Sequence, residues 1–210
     1  MPVGILGGTF DPVHFGHLRA ALEVLQLLRL EEVRLIPCHT PPHREAPAAA
    51  PAQRLRMVRT AVAGVPGLTV DDREVRRAGV SYTVDTLREL RAELGAERSL
   101  ALILGGDAFC GLPAWHEWRE LPRLCHFVVV QRPGWEPPGA GEAARMLRAA
   151  SAAEPAALRA PGAGRVLRCT VTQLEISASQ IRAEVGAGRS ARYLLPEAVL
   201  EIIETEGLYR

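Results

Sequence analysis

The sequence predicts an α/β protein: a mainly parallel sheet with helices on both faces. Two observations carry this. Short runs that are apolar throughout alternate with longer stretches whose apolar residues recur at helical spacing. Several of the short runs end in Gly-Gly or in Pro, as a buried strand does where it gives way to a loop. The chain's 210 residues, 48% hydrophobic and 23% charged, can enclose a core without disulfide or metal staples.

Each element follows in order. Val3-Gly4-Ile5-Leu6, stopped by Gly7-Gly8, predicts the first strand. Residues 18–30 set Leu18, Ala21, Leu22, Leu25 and Leu28 on one helical face. Residues 33–36, closed by Pro37, form the next strand and complete a βαβ unit. Pro41-Pro42 and the Ala/Pro stretch at 46–52 are loop. Residues 53–63 predict a helix, 68–70 a short strand, and 83–94 a helix with Ser81 or Thr83 as its cap. Residues 99–104 and 127–131 are apolar strands, ended by Gly105-Gly106 and by Arg132-Pro133-Gly134. A helix at 142–150, a last strand at 166–172 and helices at 179–185 and 196–206 complete the chain. One domain over 1–210 is expected, with a variable Pro/Gly/Ala-rich excursion at about 133–164 and a C-terminal helical part at about 177–210.

Composition excludes several chemistries. The net charge of +1 gives no bulk attraction to nucleic acid or anionic membrane. All 25 cations are arginine. Without lysine there is no Walker phosphate loop and no Schiff-base chemistry. Cys38, Cys110, Cys125 and Cys169 are scattered, with no metal-binding or CxxC spacing. No signal segment opens the chain and no apolar run is long enough to span a membrane, so a cytoplasmic protein is expected.

In a parallel α/β sheet, ligands sit beyond the carboxyl ends of the strands. The first such loop is Gly7-Gly8-Thr9-Phe10-Asp11-Pro12-Val13-His14-Phe15-Gly16-His17. Its glycines allow close approach of backbone to a ligand. His14 and His17 flank a helix N-terminus, whose amides favour an anion. After the second strand, Pro41-Pro42-His43-Arg44 offers two donors suited to a phosphate. After the fourth, Gly105-Gly106-Asp107 places an acid where ribose hydroxyls could be received, and Trp115 offers a platform for a flat ring. Ser177 precedes a helical run that carries Ile181 and Arg182.

The His14-Phe15-Gly16-His17 segment resembles the HxGH signature of the nucleotidyltransferase superfamily. Nearly the whole chain resembles the bacterial nicotinate-nucleotide adenylyltransferase family, least so at 133–164. The resemblance implies a Rossmann-like, nucleotidyltransferase-type fold and adenylyl transfer from ATP to nicotinate mononucleotide. His14, His17 and Arg182 would then be catalytic. Gly8, Thr9, Phe10, Gly16, Gly105, Asp107, Ser177 and Ile181 would join Arg182 in holding ATP. His43, Arg44, Thr83, Trp115, His116 and Arg132 would hold the mononucleotide. Cys38 stands where some members carry Asn, and His116 where some carry Tyr, so those contacts differ here. Mg²⁺ would travel with ATP, since no carboxylate cluster suggests a dedicated metal cage. The expected partners are these small molecules. Another adenylyl- or cytidylyltransferase, an aminoacyl-tRNA synthetase of the HIGH type and a non-catalytic nucleotide sensor are the competing readings. The first two lack support in the later motifs or in length.

Overall fold

The computed structural model describes residues 1–42, 46–131, 139–159, 162–172 and 174–210. The elements run β1 (Val3–Gly8), α1 (Phe15–Leu27), β2 (Glu32–Pro37), α2 (Pro51–Val62), β3 (Leu68–Val70), α3 (Arg73–Arg77), α4 (Thr83–Leu94), β4 (Leu100–Gly105) and α5 (Gly106–Cys110). They continue with α6 (Leu121–Leu124), β5 (His126–Gln131), α7 (Gly141–Ala150), β6 (Ser151–Ala152), β7 (Val166–Thr170), α8 (Ala178–Gly186) and α9 (Glu197–Thr205). Among the described residues the seven strands form one sheet in the order β3-β2-β1-β4-β5-β7-β6. Every strand pairing is parallel. The strand order reverses between β1 and β4, which is where such folds open a ligand crevice.

Period-two alternation divides the strand residues between two cores. Val33, Leu35, Ala101, Ile103, Val128 and Val130 pack with Ala21 and Val24 of α1, Met57 and Val58 of α2, Ile181 of α8 and Val199 and Ile203 of α9. Val3, Ile5, Leu100, Leu102, Phe127 and Val129 pack with Val84 and Leu87 of α4, Phe109 of α5, Leu121 of α6 and Leu147 of α7. Helices therefore cover both faces, and the strands are apolar throughout because both sides are buried.

Some local expectations need correction. The first helix begins at Phe15 and ends at Leu27, earlier at both ends than 18–30. Leu28 and Leu30 are 3% and 6% exposed, so their apolar character reflects core packing beyond the helix. Neither Ser81 nor Thr83 caps α4, whose N-cap is Tyr82 with no side-chain bond. The Ser81 hydroxyl instead accepts from His39 N at 2.9 Å. The last strand stops at Thr170. The short α3, α5, α6 and β6 lack apolar periodicity long enough to announce them.

Candidate active site

Two strand exits meet at the switch point. β1 ends at Gly8 and the chain turns sharply at Phe10, whose φ of 50° is left-handed. The turn folds the Phe10 ring back over Gly8. A Cβ on Gly8 would lie 3.0 Å from that ring, tighter than ordinary contact, so glycine suits the close approach. The chain then reaches His14, the extended N-cap of α1.

His14 and His17 stack with ring centroids 3.8 Å apart and planes inclined by 29°. The Phe10 ring meets His17 edge-on at 5.0 Å. Gly16 permits this stack, because a Cβ there would come within 3.0 Å of the His14 ring. Burial holds the His14 pKa down at about 4. Burial, with His14 adding a smaller effect, holds His17 down at about 3. Both rings are therefore neutral at pH 7 in the unliganded protein. Neither Nδ1 has a hydrogen-bond partner among the described residues. Phe15 N–H donates to the Leu194 carbonyl at 3.1 Å, tying the start of α1 to the chain before α9.

The N-terminus of α8 arrives from the other end of the sequence. Ser177 is its N-cap and accepts from Gln180 N at 3.1 Å. A Cβ on Gly16 would sit 3.5 Å from the Ile176 carbonyl, so the starts of α1 and α8 lie side by side. Arg182 Nη1 donates to the Asp11 backbone carbonyl at 2.7 Å, and its Nη2 donates to Ser179 Oγ at 3.3 Å. One end of the crevice thus gathers two histidines, an arginine and two helix N-termini, a strongly anion-accepting set. Ile181 is fully buried in the core. Its side chain packs α8 against the sheet.

Gly105 ends β4 and is the N-cap of α5, with Asp107 in the first turn. Asp107 is exposed. Thr83 opens α4. The β2 exit supports that helix start: Ser81 N donates to the Thr40 carbonyl at 2.9 Å and Thr40 N donates to the Gly79 carbonyl at 3.2 Å. Trp115 is half-buried against the core beneath α4. The His116 ring lies over Tyr82 at 4.3 Å. His116 thus supplies a ring contact to the helix start. His43, Arg44 and Arg132 lie outside the described residues.

The sequence reading missed the polar frame beneath the first loop. Asp11 is 4% exposed. Its carboxylate accepts from Ala48 N at 2.8 Å, Ala49 N at 3.1 Å and Tyr209 Oη at 2.8 Å. Arg54 of α2 has no exposed surface. It donates to the carbonyls of Ala49, Thr9 and His39 at 3.1, 2.7 and 2.7 Å. Near α4, buried Glu74 accepts from Thr86 Oγ1 at 2.6 Å, and burial pushes its pKa up.

The parallel sheet and the anion-accepting set at its switch point suit an α/β protein that handles a phosphorylated ligand. Residues 5–184 match the family described as cytidylyltransferase-like. The chain belongs to that family and, within it, to the nicotinate-nucleotide adenylyltransferases. It is 54% identical over 211 residues to a probable nicotinate-nucleotide adenylyltransferase of Pseudomonas aeruginosa strain UCBPP-PA14, covering 99% of this chain and 97% of that one. A protein with the same description from Cellvibrio japonicus is 51% identical, with 99% and 98% covered. Among solved structures, the Plasmodium falciparum nicotinic acid mononucleotide adenylyltransferase complexed with NaAD is similar in fold. Its TM-score is 0.74 at 17% identity, over 99% of this chain and 97% of that one.

Proposed function

We propose that this protein transfers the adenylyl group of ATP to nicotinate mononucleotide, giving nicotinate adenine dinucleotide and pyrophosphate in NAD biosynthesis. The near-complete alignment with relatives of that activity supports the reading. The carrying structural observation is the stacked His14–His17 pair beside the starts of α1 and α8.

In this reading the triphosphate of ATP lies across the His14–His17 turn. A phosphate oxygen of the mononucleotide attacks the α-phosphorus in line. The bond to the bridging oxygen breaks and pyrophosphate leaves with that oxygen. No covalent enzyme intermediate forms, so the protein's task is positioning and stabilisation of charge. His14 and His17 each have a ring N–H to give to the transferring phosphate. Arg182 and the first amides of α8, capped by Ser177, face the leaving pyrophosphate. Gly8, Thr9, Phe10, Gly16, Gly105 and Asp107 complete the ATP side. Ile181, packed behind the start of α8, is proposed to back the ATP site.

Thr83 at the start of α4, with Trp115 and His116, forms the acceptor side, which His43, Arg44 and Arg132 are proposed to complete. A helix start suits the nicotinate carboxylate. The metal is proposed to be Mg²⁺, entering on the ATP phosphates as part of the substrate. The donor chemistry accords with this: the Asp11 carboxylate is already occupied by two amides and a hydroxyl. No group of three or more His, Cys, Asp or Glu gathers among the described residues. No helix of those residues is long and apolar enough to cross a membrane, and a cytoplasmic location is proposed.

The test is pyrophosphate release by purified protein with Mg²⁺, comparing nicotinate and nicotinamide mononucleotides as acceptors and ATP with CTP as donors. The expected result is fast release with ATP and the acid alone. Equal release with the amide removes the acceptor assignment. Preference for CTP overturns the donor.

A further inference from the structure

We propose that Arg54 is a positioning residue for the transfer: it sets the peptide that aims the Phe10 N–H at the ATP phosphates. The proposal rests on the functional reading above. Arg54 lies on α2, away from the signature segment, yet its guanidinium reaches three separate stretches of chain. It bonds the Thr9 carbonyl on the β1 exit, the His39 carbonyl on the β2 exit and the Ala49 carbonyl before its own helix. It is fully buried, and the oxygens it meets are all carbonyls. Desolvating a cation for a purely structural link is costly, and well-packed apolar groups often serve as well. A buried arginine shared among three carbonyls instead buys geometry, because its planar fork fixes the direction of each bond.

That direction has a consequence. The only cis peptide among the described residues is Asp11–Pro12, so the Thr9–Phe10 peptide is trans. In a trans peptide the carbonyl and the following N–H point oppositely. Holding the Thr9 carbonyl toward Arg54 therefore turns the Phe10 N–H away from α2. Phe10 is 2% exposed, but nothing among the described residues accepts a hydrogen bond from its N–H. An amide with no acceptor within the protein is left to water or to a ligand. Phe10 also holds a φ of 50°, a conformation that a bulky residue keeps only where its surroundings impose it. Its ring is packed against His17. The same turn thus fixes both a backbone donor and the face of a catalytic ring.

The test compares wild type with Arg54→Lys, which keeps charge and stem but loses the fork. Steady-state kinetics would be run at saturating levels of each substrate in turn, alongside thermal melting. For folded Arg54→Lys, we expect kcat/KM for ATP to fall about 10²-fold, the scale of a small misplacement of reacting groups. The KM for the mononucleotide should stay within about threefold, a change of under 1 kcal/mol. A folded variant with wild-type kcat and KM for ATP would overturn the proposal, as would a loss carried only by the acceptor's KM. Should the variant not fold, the wild-type protein still decides. On adding α,β-methylene ATP, the backbone amide signal of Phe10 should shift strongly in an NMR titration; an unmoved signal overturns the proposal. Failure of the functional reading shows separately, as wild-type protein that releases no pyrophosphate with ATP and either mononucleotide.

Discussion

The two halves of the crevice are held by different means. Around the β1 exit the holding groups are buried: Arg54 at 0%, Asp11 at 4% and His14 at 5% exposure. Arg54 bonds three carbonyls, and Asp11 accepts from the Ala48 and Ala49 amides and the Tyr209 hydroxyl, so both join distant parts of the chain. Around the Trp115 loop Leu112 and Leu121 are buried, but the charged groups are exposed. Arg88 of α4 pairs with Glu117 at 2.5 Å, with side chains 45% and 42% exposed. His116 meets Glu117 at 3.1 Å with its side chain 48% exposed. Buried hydrogen-bonded charge resists rearrangement, whereas exposed ion pairs contribute little and exchange with water. The half around the β1 exit, proposed to hold ATP, is therefore the more rigidly built. The half around the Trp115 loop, proposed to hold the acceptor, rearranges more readily.

The largest effect expected from this contrast is on the rigid side. His17→Ala should lower kcat by about 10²–10³-fold, the usual loss when one charge-stabilising donor is removed, with an unchanged circular dichroism spectrum. A folded His17→Ala with near wild-type pyrophosphate release would remove His17 from the chemistry.

A second effect of the same half is on acid stability. The unfolded chain protonates both imidazoles near the usual pKa of 6.5, whereas the folded chain does not until about 4 for His14 and about 3 for His17. As pH falls from 6.5 the unfolded state holds more protons, so stability present above pH 6.5 is lost toward pH 4. From His14 alone the loss should be about 2–3 kcal/mol between pH 7.5 and 4.5. Denaturant unfolding at the two pH values measures it. The His14→Gln/His17→Gln double variant should show a flatter dependence, and an equally steep one would show that carboxylates alone carry the acid limb. Bound triphosphate should raise both pKa values, so ATP binding near pH 6 should take up protons.

A smaller effect concerns the far end of the frame. Tyr209→Phe removes the hydroxyl that donates to Asp11. It should cost about 1–2 kcal/mol, as loss of a partly buried hydrogen bond to a charged group does. Denaturation midpoints at pH 7.5 measure this. A neutral substitution would mean that Ala48 and Ala49 hold Asp11 without help.

How far the sequence foretold these halves follows from where each interaction lies along the chain. Strands buried on both faces declare themselves as apolar runs, and α4 was legible to the residue because Val84, Leu87 and Leu90 form an uninterrupted buried stripe. His14, Gly16 and His17 stand together in sequence and could be read as a unit. Arg54, Asp11 and Tyr209 could not be joined: Asp11 and Tyr209 are 198 positions apart, and Arg54 sits on a helix whose pattern calls only for an amphipathic face. A buried arginine looks like any surface arginine until the carbonyls around it are placed. Ser81 misled for a related reason. Its hydroxyl could have capped the following helix but accepts from His39 N on the β2 exit.

The smallest effect tests the adjustable half. Glu117 occupies the left-handed region at φ 47°, a conformation that costs a non-glycine residue roughly 1–2 kcal/mol. It sits between two short helical turns, Leu112–Ala114 and Trp118–Glu120, where its carboxylate meets Arg88 and His116. Arg88 adds only an exposed pair, shared with Asp85 at 3.5 Å. Arg88→Ala should change stability by no more than about 0.5 kcal/mol. It should still loosen the strand of chain that carries Trp115 and His116 beside Tyr82. The KM for nicotinate mononucleotide should then rise about threefold, equivalent to about 0.6 kcal/mol, while the KM for ATP stays unchanged. A parallel rise in both would mean that the acceptor loop and the β1 exit move together, and that the rigid and adjustable halves are one unit.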